Sequence, residues 1–239
     1  MSDSDSVAQT MKMENISIAK PGIGQSEATA RIISRPLLIF PCNGNGIEAL
    51  DCLGSKFYPL GFIDDEPDKV NSDRFGITVF GREVLDRFPE AQVLAVPGGP
   101  MSFRERERVI ASLGIPVSRF AQVVHPLARI SPLATVGINV LIMAGVVITS
   151  NAIVGNHVCL LPNTVVHHDA VVGDWSLIGS NVTIAGNTTI GCNCYIGSGT
   201  SVMNSIKVGD RALIGLGSNV IRDVPPSITV VGNPAHALS

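Results

Sequence analysis

The sequence predicts a small α/β domain followed by a parallel β-helix. Seventeen six-residue units run without a break from Val124 to Pro225, and each unit opens with Val, Ile or Leu. The fifth residue of a unit is Ala, Ser, Thr, Cys or Val in every case except Ile206. Before this repeat, a short apolar run, a glycine-containing turn and a helical segment open an α/β unit at residues 36–53.

The chain before the repeat divides into a leader and one domain. Residues 1–35 are rich in Ser, Lys, Glu, Met and Gly and have no regular apolar pattern, so we expect a flexible N-terminal extension. Residues 36–122 have the strand, glycine turn and helix order of a Rossmann-like domain. The predicted elements are strands at 36–40, ending at 62–65 and at 92–96, a helix at 47–53, and an exposed helix in the charged stretch 103–113.

The repeat itself predicts a β-helix over residues 123–226. A bulky branched residue every six positions fits neither a helical stripe nor an alternating strand. In the hexapeptide β-helix, three short strands and eighteen residues make one triangular coil. With strands stacked about 4.8 Å apart, the prism should be about 27 Å long. Residues 227–239 form a C-terminal strap that contains Gly232–Ala235.

Composition argues against several classes of function. Hydrophobic residues make up 45% of the chain and charged residues 15%, which is enough for a well-buried core. The net charge is −3, and the sequence has no basic stripe of the kind that binds nucleic acid. The apolar runs are too short to cross a bilayer, and the polar N-terminus does not resemble a secretory signal. Five cysteines without framework spacing fit a reducing compartment, so we expect a cytoplasmic protein with no nucleic-acid or membrane partner.

His168 is the candidate catalytic residue. Residues eighteen apart should stack on one face of the prism, which places Ser150 one coil before His168, Gly186 one coil after it, and Asn204 two coils after it. A glycine beside a histidine leaves a slot with accessible backbone N–H groups. A base beside a backbone donor suits acyl transfer. The alternative interpretation is that His168 is a surface histidine at a turn with no catalytic role. Asp169 either orients the ring or is a solvated turn residue.

The other candidate ligands do not predict a metal site. His125 and His157 have no partner at a recognisable spacing, and His167 should project differently from its neighbour, so we expect structural roles for all three. Cys192 and Cys194 form a C-x-C pair, but Cys194 occupies an inward position of its unit. A zinc site between subunits would need several outward histidines at compatible positions.

Three segments resemble the bacterial hexapeptide sugar acyltransferases of the NeuD/PglD type. They are Val124–Pro132, His168–Gly173 and Gly232–Ala235, and the resemblance covers roughly residues 36–238. The group includes sialic acid O-acetyltransferases and N-acetyltransferases of nucleotide-linked 4-amino sugars. The resemblance implies a left-handed β-helix and a homotrimer with active sites between adjacent subunits. It also implies that the N-terminal domain holds the nucleotide sugar and that acetyl-CoA lies between neighbouring prisms.

The resemblance also implies roles for individual residues. His168 is then the general base and Asp169 its acidic partner. The nucleotide-binding turn of the family falls on residues 41–46, although Pro41 replaces its first glycine and Asn45 its histidine. The expected substrate contacts are Asn43, Gly44, Asn45, Asp64, Asp65 and Gly98. The expected acetyl-CoA contacts are Leu177, Gly186, Ser198 and Leu216, of which Leu177 replaces a histidine found in some members.

The predicted activity is transfer of an acetyl group from acetyl-CoA to the amine of a UDP- or dTDP-linked amino-deoxy sugar, with no metal. One alternative is O-acetylation of a sugar hydroxyl such as that of sialic acid. Another is a non-catalytic trimeric β-helix that displays its N-terminal domain, since a fold by itself does not fix a function.

Overall fold

A computed structural model describes residues 34–238, so most of the predicted leader lies outside the described residues. The N-terminal domain is built on a five-stranded sheet of order β3-β4-β2-β1-β5. Neighbouring strands of this sheet are parallel, except that β3 is antiparallel to β4. The strands are β1 (Arg35–Phe40), β2 (Phe57–Ile63), β3 (Asp73–Arg74), β4 (Ile77–Phe80) and β5 (Gln92–Ala95).

Three short α-helices accompany this sheet: α1 (Gly44–Glu48), α2 (Val84–Arg87) and α3 (Arg106–Ala111). Further 3-10 turns span Ala49–Cys52, Phe103–Glu105 and Val117–Arg119. The first helix begins earlier than predicted, because the Asn43 side chain accepts a hydrogen bond of 2.8 Å from Gly46 N and caps it.

The helical stretch predicted at 103–113 is present in part, and the prediction that it is exposed holds for only one side of it. Phe103, Arg106 and Ile110 are all buried. Glu105, Glu107 and Arg108 are exposed and alternate with this buried set, whereas Arg106 has carbonyl partners inside the protein. The high charge of the segment therefore concealed a packed face.

Seventeen two-residue strands, β6–β22, form the three faces of the prism. Strands on one face pair in parallel with those eighteen residues away. The first face contains β6 (Val123–Val124), β9 (Leu141–Ile142), β12 (Cys159–Leu160), β15 (Leu177–Ile178), β18 (Tyr195–Ile196) and β21 (Leu213–Ile214). The second contains β7 (Arg129–Ile130), β10 (Val147–Ile148), β13 (Val165–Val166), β16 (Thr183–Ile184), β19 (Ser201–Val202) and β22 (Asn219–Val220). The third contains β8 (Thr135–Val136), β11 (Ile153–Val154), β14 (Val171–Val172), β17 (Thr189–Ile190) and β20 (Lys207–Val208).

Three corners join these faces. The chain passes from the first face to the second at the first corner, from the second to the third at the second corner, and from the third back to the first at the third corner. The fourth residue of most units has a left-handed backbone, which asparagine tolerates well. The non-glycine residues among them have φ between 51° and 62° and are Asn139, Asn151, His157, Asn163, Asp169, Trp175, Asn181, Asn187, Asn193, Ser205 and Arg211.

The interior of the prism combines aliphatic stacks with satisfied hydroxyl groups. First-position side chains such as Ile142, Ile148 and Val154 are buried in one continuous core. Four fifth-position hydroxyls each donate to the carbonyl fifteen residues later, at 2.6 to 3.1 Å; they belong to Thr164, Ser176, Thr188 and Thr200. Small polar residues are tolerated inside because each hydroxyl has a backbone acceptor at the turn.

The N-terminal domain covers the first face of the prism. A single hydrophobic cluster contains Leu37, Ile39, Phe57 and Phe62 of the domain together with Leu141, Cys159 and Leu177 of the first face and Met143 at the first corner. The second corner lies between the other two faces, so it is the corner that this domain does not adjoin.

The C-terminal strap completes the first face. Strand β23 (Thr229–Val231) pairs in parallel with β21, and β24 (His236–Ala237) folds back antiparallel on β23. Between residues 34 and 238, no helix has the length and apolar character needed to span a membrane.

Candidate active site

The second corner carries the column of residues predicted from the eighteen-residue spacing. Backbone hydrogen bonds join successive coils there: Asp169 N donates to Ser150 O at 3.1 Å, Asn187 N to His168 O at 3.0 Å, and Ser205 N to Gly186 O at 3.1 Å. Ser150, His168 and Gly186 therefore occupy the same place on successive coils. Asn204 continues the column, since its side-chain amide reaches Gly186 O at 3.5 Å.

The imidazole of His168 lies against the bare backbone of Gly186. A Cβ atom built on Gly186 would lie 2.6 Å from both Cε1 and Nε2 of the ring. The His168 side chain is 54% exposed, so the ring is reachable from solvent while one of its edges is covered. Among the described residues, no hydrogen bond from the Gly186 amide N–H to a protein acceptor is seen. An exposed imidazole and the unpaired N–H of a buried glycine therefore lie side by side.

Asp169 holds the opposite side of the His168 ring. Its Oδ2 lies 2.8 Å from His168 Nδ1, and its Oδ1 accepts a hydrogen bond of 3.2 Å from the Asn151 side chain. The hydrogen bond with His168, followed by that from Asn151, lowers the pKa of the Asp169 carboxyl below its usual value. Because an ionised carboxylate only accepts, the Nδ1 atom of neutral His168 carries the proton. The unprotonated Nε2 is then the atom beside Gly186.

Two of the predicted acetyl-CoA contacts lie on a different corner. Ser198 follows β18 and Leu216 follows β21, and both stand at the first corner, one coil apart. Leu216 is largely exposed, and Ser198 is half-buried with its Oγ accepting from Ser180 N at 3.0 Å. Within one protomer, these residues and His168 therefore point away from one another.

The predicted contact between Leu177 and acetyl-CoA is not compatible with the structure. Leu177 points outward from the first face and is 3% exposed, because the N-terminal domain packs over it. Its neighbours on the same face are Cys159 and Tyr195. The side chain contributes to the interface between the two parts of the chain and cannot contact a cofactor in this arrangement.

The predicted nucleotide-sugar turn is a tight loop that begins α1. Asn43 caps the helix, Gly44 is exposed and Asn45 is half-buried. Gly46 is required for space, since a Cβ atom there would overlap the carbonyl oxygen of Pro41. The three predicted contact residues are therefore together on one loop, with Gly44 the most accessible of them.

The acidic pair after β2 divides into two different roles. Asp64 is 4% exposed, and its carboxylate accepts from Cys42 N at 3.0 Å, Glu66 N at 3.0 Å and Lys69 Nζ at 3.3 Å. These bonds tie the loop after β2 to the turn at residues 41–46, and the contact of Asp64 with a nucleotide sugar stays a prediction. Asp65 is exposed and forms a two-point ion pair with Arg82 at 2.6 and 2.7 Å. Both acids border a cavity of about 420 Å³.

Gly98 lies on the loop after β5, where only glycine fits easily. Its φ is 104°, and a Cβ atom would lie 2.9 Å from Cγ of Arg106. The Arg106 guanidinium donates to the carbonyls of Pro97, Trp175 (2.7 Å) and His157 (2.6 Å). The predicted ligand loop is thus fastened to the third corner of the prism by a fully buried arginine.

Sequence reasoning did not find this junction at the third corner. Asn139 exchanges two hydrogen bonds with the backbone of Ala95, at 2.7 and 2.8 Å. His157 stacks on Trp175 with ring centroids 5.9 Å apart, and burial lowers its pKa to about 4. The sequence did contain one indication of this junction. Asn139, His157 and Trp175 are long side chains at the fourth position of units that are eighteen residues apart.

A cavity at the first corner was also not predicted. It has a volume of about 400 Å³ and separates the end of α1 from the prism. Its acidic side is formed by Glu48 and Asp51, and its prism side includes Ala144, Pro162 and Ser180. Those three residues belong to the same column as Ser198 and Leu216, because they are spaced by eighteen. No group of three or more His, Cys, Asp or Glu side chains within residues 34–238 is arranged to hold a metal ion.

Comparisons with known proteins agree with this architecture. The family model "Bacterial transferase hexapeptide (six repeats)" matches residues 151–186, which include both His168 and Gly186. The chain is similar to the acetyltransferase domain of PglB from Neisseria gonorrhoeae, solved with acetyl coenzyme A, at 26% identity and a TM-score of 0.75, over 86% of this chain and 100% of that one. The predicted resemblance is confirmed. The chain has the fold of the hexapeptide-repeat sugar acyltransferases, and its prism is the left-handed β-helix that the resemblance implied.

Two more distant structures share the fold. PerB from Caulobacter crescentus, in complex with CoA and GDP-perosamine, matches with 24% identity and a TM-score of 0.73, over 87% of this chain and 98% of that one. WeeI from Acinetobacter baumannii matches with 22% identity and a TM-score of 0.72, over 86% of this chain and 100% of that one. No curated protein matched the sequence.

Proposed function

We propose that the protein transfers an acetyl group from acetyl-CoA to the amine of a nucleotide-linked amino-deoxy sugar, with UDP or dTDP as the nucleotide. The observation that carries this proposal is the contact between the His168 ring and Gly186, with Asp169 holding Nδ1. Similarity to an acetyltransferase domain solved with acetyl-CoA, and a fold shared with a protein solved with CoA and GDP-perosamine, support the choice of donor and acceptor.

His168 acts as the general base in this mechanism. The acceptor amine attacks the thioester carbonyl carbon, and Nε2 of His168 removes a proton from the nitrogen as the C–N bond forms. The oxyanion accepts a hydrogen bond from the free Gly186 N–H. Collapse of this intermediate breaks the C–S bond, and the imidazolium returns a proton to the departing CoA sulfur. Asp169 stabilises the imidazolium while it is charged.

Ser198 and Leu216 would contact acetyl-CoA along the first corner, and Asn43, Gly44 and Asn45 would contact the nucleotide sugar. The cavity between α1 and the first corner supports this placement, because Ala144, Pro162 and Ser180 on its prism side precede Ser198 and Leu216 in the same column, and Glu48 on its other side belongs to the helix that Asn43 caps. Its carboxylates, Glu48 and Asp51, would attract the ammonium form of the acceptor amine, whereas the phosphates of CoA would lie away from them, beside Ser198 and Leu216.

We further propose a homotrimer in which each active site lies between two protomers. His168 and Gly186 stand at the second corner, whereas Ser198 and Leu216 stand at the first. One prism cannot turn both corners toward the same ligand, so the site is complete only when a second copy supplies the missing corner. All five cysteines are free, which supports a reducing cytoplasmic location.

The activity is tested by measuring thiol release from acetyl-CoA across a panel of UDP-, dTDP- and GDP-linked amino sugars, with the matching hydroxy sugars as controls. We expect release with an amino sugar and a decrease in kcat of about 10²- to 10⁴-fold in His168→Ala, with CoA binding retained in calorimetry. Acetylation of the hydroxy sugars alone would favour O-acetylation. Absence of CoA binding would favour a non-catalytic role.

The shared site is tested by mixing two variants. His168→Ala chains and Leu216→Glu chains, carrying different tags, are co-expressed, and assemblies that contain both are purified. At a low acetyl-CoA concentration each variant alone should be slow, while mixed assemblies should recover activity at the interface that pairs an intact His168 with an intact Leu216. Mixed assemblies that stay as slow as the single variants would contradict a site between protomers.

A further inference from the structure

The Asp169 carboxylate is held from two sides at the second corner. Its Oδ2 bonds with His168 Nδ1 at 2.8 Å, and its Oδ1 accepts from the Asn151 side-chain amide at 3.2 Å. Asn151 belongs to the previous coil, eighteen residues earlier, so the three side chains form a relay that crosses two coils. None of them is buried, so the two hydrogen bonds, together with the contact of the His168 ring with Gly186, set their arrangement.

Both the backbone and the side-chain amide of Asn151 allow it to hold the Asp169 carboxylate. Asn151 and Asp169 have φ of 59° and 58°, and they occupy the fourth position of successive units. The shared left-handed conformation directs both side chains outward from the same corner. Of the two groups in the asparagine amide, only the NH₂ can donate to an ionised carboxylate.

We propose that Asn151 is a positioning residue for acyl transfer, whose side-chain amide fixes the Asp169 carboxylate so that the His168 ring keeps Nδ1 protonated and Nε2 free beside Gly186. This inference rests on the proposed function but adds a residue outside the His-Asp pair. Asn151 reaches no reacting atom itself, so its contribution passes through Asp169 and the orientation of the imidazole.

Asn187 provides a matched control. It occupies the same position one coil after Asp169, has a φ of 59° and is exposed, as Asn151 is. Within residues 34–238 no side-chain hydrogen bond of Asn187 is seen. Glycine adopts this left-handed backbone without strain, so Asn151→Gly and Asn187→Gly change the side chain while sparing the fold.

We expect Asn151→Gly to lower kcat by roughly 3- to 10-fold, which corresponds to the loss of one hydrogen bond, with little change in the KM for acetyl-CoA. Asn151→Asp should lower kcat further, because it keeps the shape but replaces the donor with a second carboxylate next to Asp169. Asn187→Gly should leave kcat near the wild-type value. Equal losses in both glycine variants would assign the effect to the corner backbone and overturn the proposal.

A second measurement does not depend on turnover. ¹⁵N NMR of the histidine side chains in the full-length protein reports which ring nitrogen of His168 carries the proton. Wild type and Asn187→Gly should show the Nδ1-protonated form, and Asn151→Gly should show a mixture of the two tautomers. An unchanged tautomer in Asn151→Gly would refute the positioning role even if the enzyme is active. The converse outcome is a change of tautomer in Asn151→Gly although the wild-type protein acetylates no sugar. That result would support the hydrogen-bond relay and refute the proposed function.

Discussion

Gly186 lies directly beneath the imidazole of His168, with the position of its missing Cβ atom 2.6 Å from Cε1 and Nε2 of the ring. Gly186 is not among the glycines with positive φ, so the site requires it for its lack of a side chain rather than for an unusual backbone. The contact places Nε2 beside the glycine backbone while the His168 side chain stays 54% exposed. It therefore positions the base without hiding it from solvent.

Gly186→Ala should reduce catalysis without unfolding the protein. The added methyl group would displace the His168 ring, and a displacement of about 1 Å can cost on the order of 10²-fold in rate. We expect a decrease in kcat of that size, measured by thiol release, with an unchanged melting temperature. Ser150→Ala, in the same column one coil before His168, is the control and should behave as wild type. Wild-type turnover in Gly186→Ala would show that the slot is not used.

Leu216→Glu should weaken the apparent affinity for acetyl-CoA. Leu216 is 71% exposed, so the substitution should not affect folding. A carboxylate at the first corner would repel the phosphates of CoA, and we expect the KM for acetyl-CoA to rise roughly 10-fold. Phe75→Glu is a suitable control, because Phe75 is 76% exposed on the turn between β3 and β4. An equal KM in both variants would place the cofactor elsewhere.

Arg106→Met should destabilise the protein by about 3 kcal/mol. The buried carbonyl of Pro97 and the half-buried carbonyls of His157 and Trp175 would lose a charged donor, and hydrogen bonds to charged groups are individually strong. Urea unfolding followed by circular dichroism would measure the change, with Arg106→Lys expected to fall between wild type and Arg106→Met. A loss below about 1 kcal/mol in Arg106→Met would mean that water satisfies these carbonyls.

His157→Asn should reduce the loss of stability in mild acid. The pKa of His157 is about 4 in the folded protein, below its usual value of 6.5, so between these pH values the unfolded chain binds a proton that the folded chain does not. Stability therefore falls as the pH decreases through this window. Asparagine suits the left-handed backbone and does not titrate, so the variant should show a shallower slope when urea unfolding is measured from pH 7 to pH 4. An identical slope would exclude His157 as the cause.

The parts of the structure that follow a strict period were predictable from the sequence. The eighteen-residue pitch placed Gly186 next to His168, and the inward position of Cys194 is confirmed by its place in the prism core. The errors concern surfaces that another part of the chain covers. Leu177 occupies an outward position, and nothing in the repeat indicates that the N-terminal domain packs over it. Contacts such as Arg106 with Trp175 join residues 69 apart and have no local pattern.

The regular pitch of the prism also determines which changes in length the protein can tolerate. Adding eighteen residues after Asn204 would add one coil to the prism and leave the pairing of His168 with Gly186 intact. Adding six residues between those two would shift the following chain by one face of the prism. A residue other than Gly186 would then lie next to His168. Natural variants of this chain should therefore differ by whole coils after Asn204 and keep the eighteen-residue spacing between His168 and Gly186.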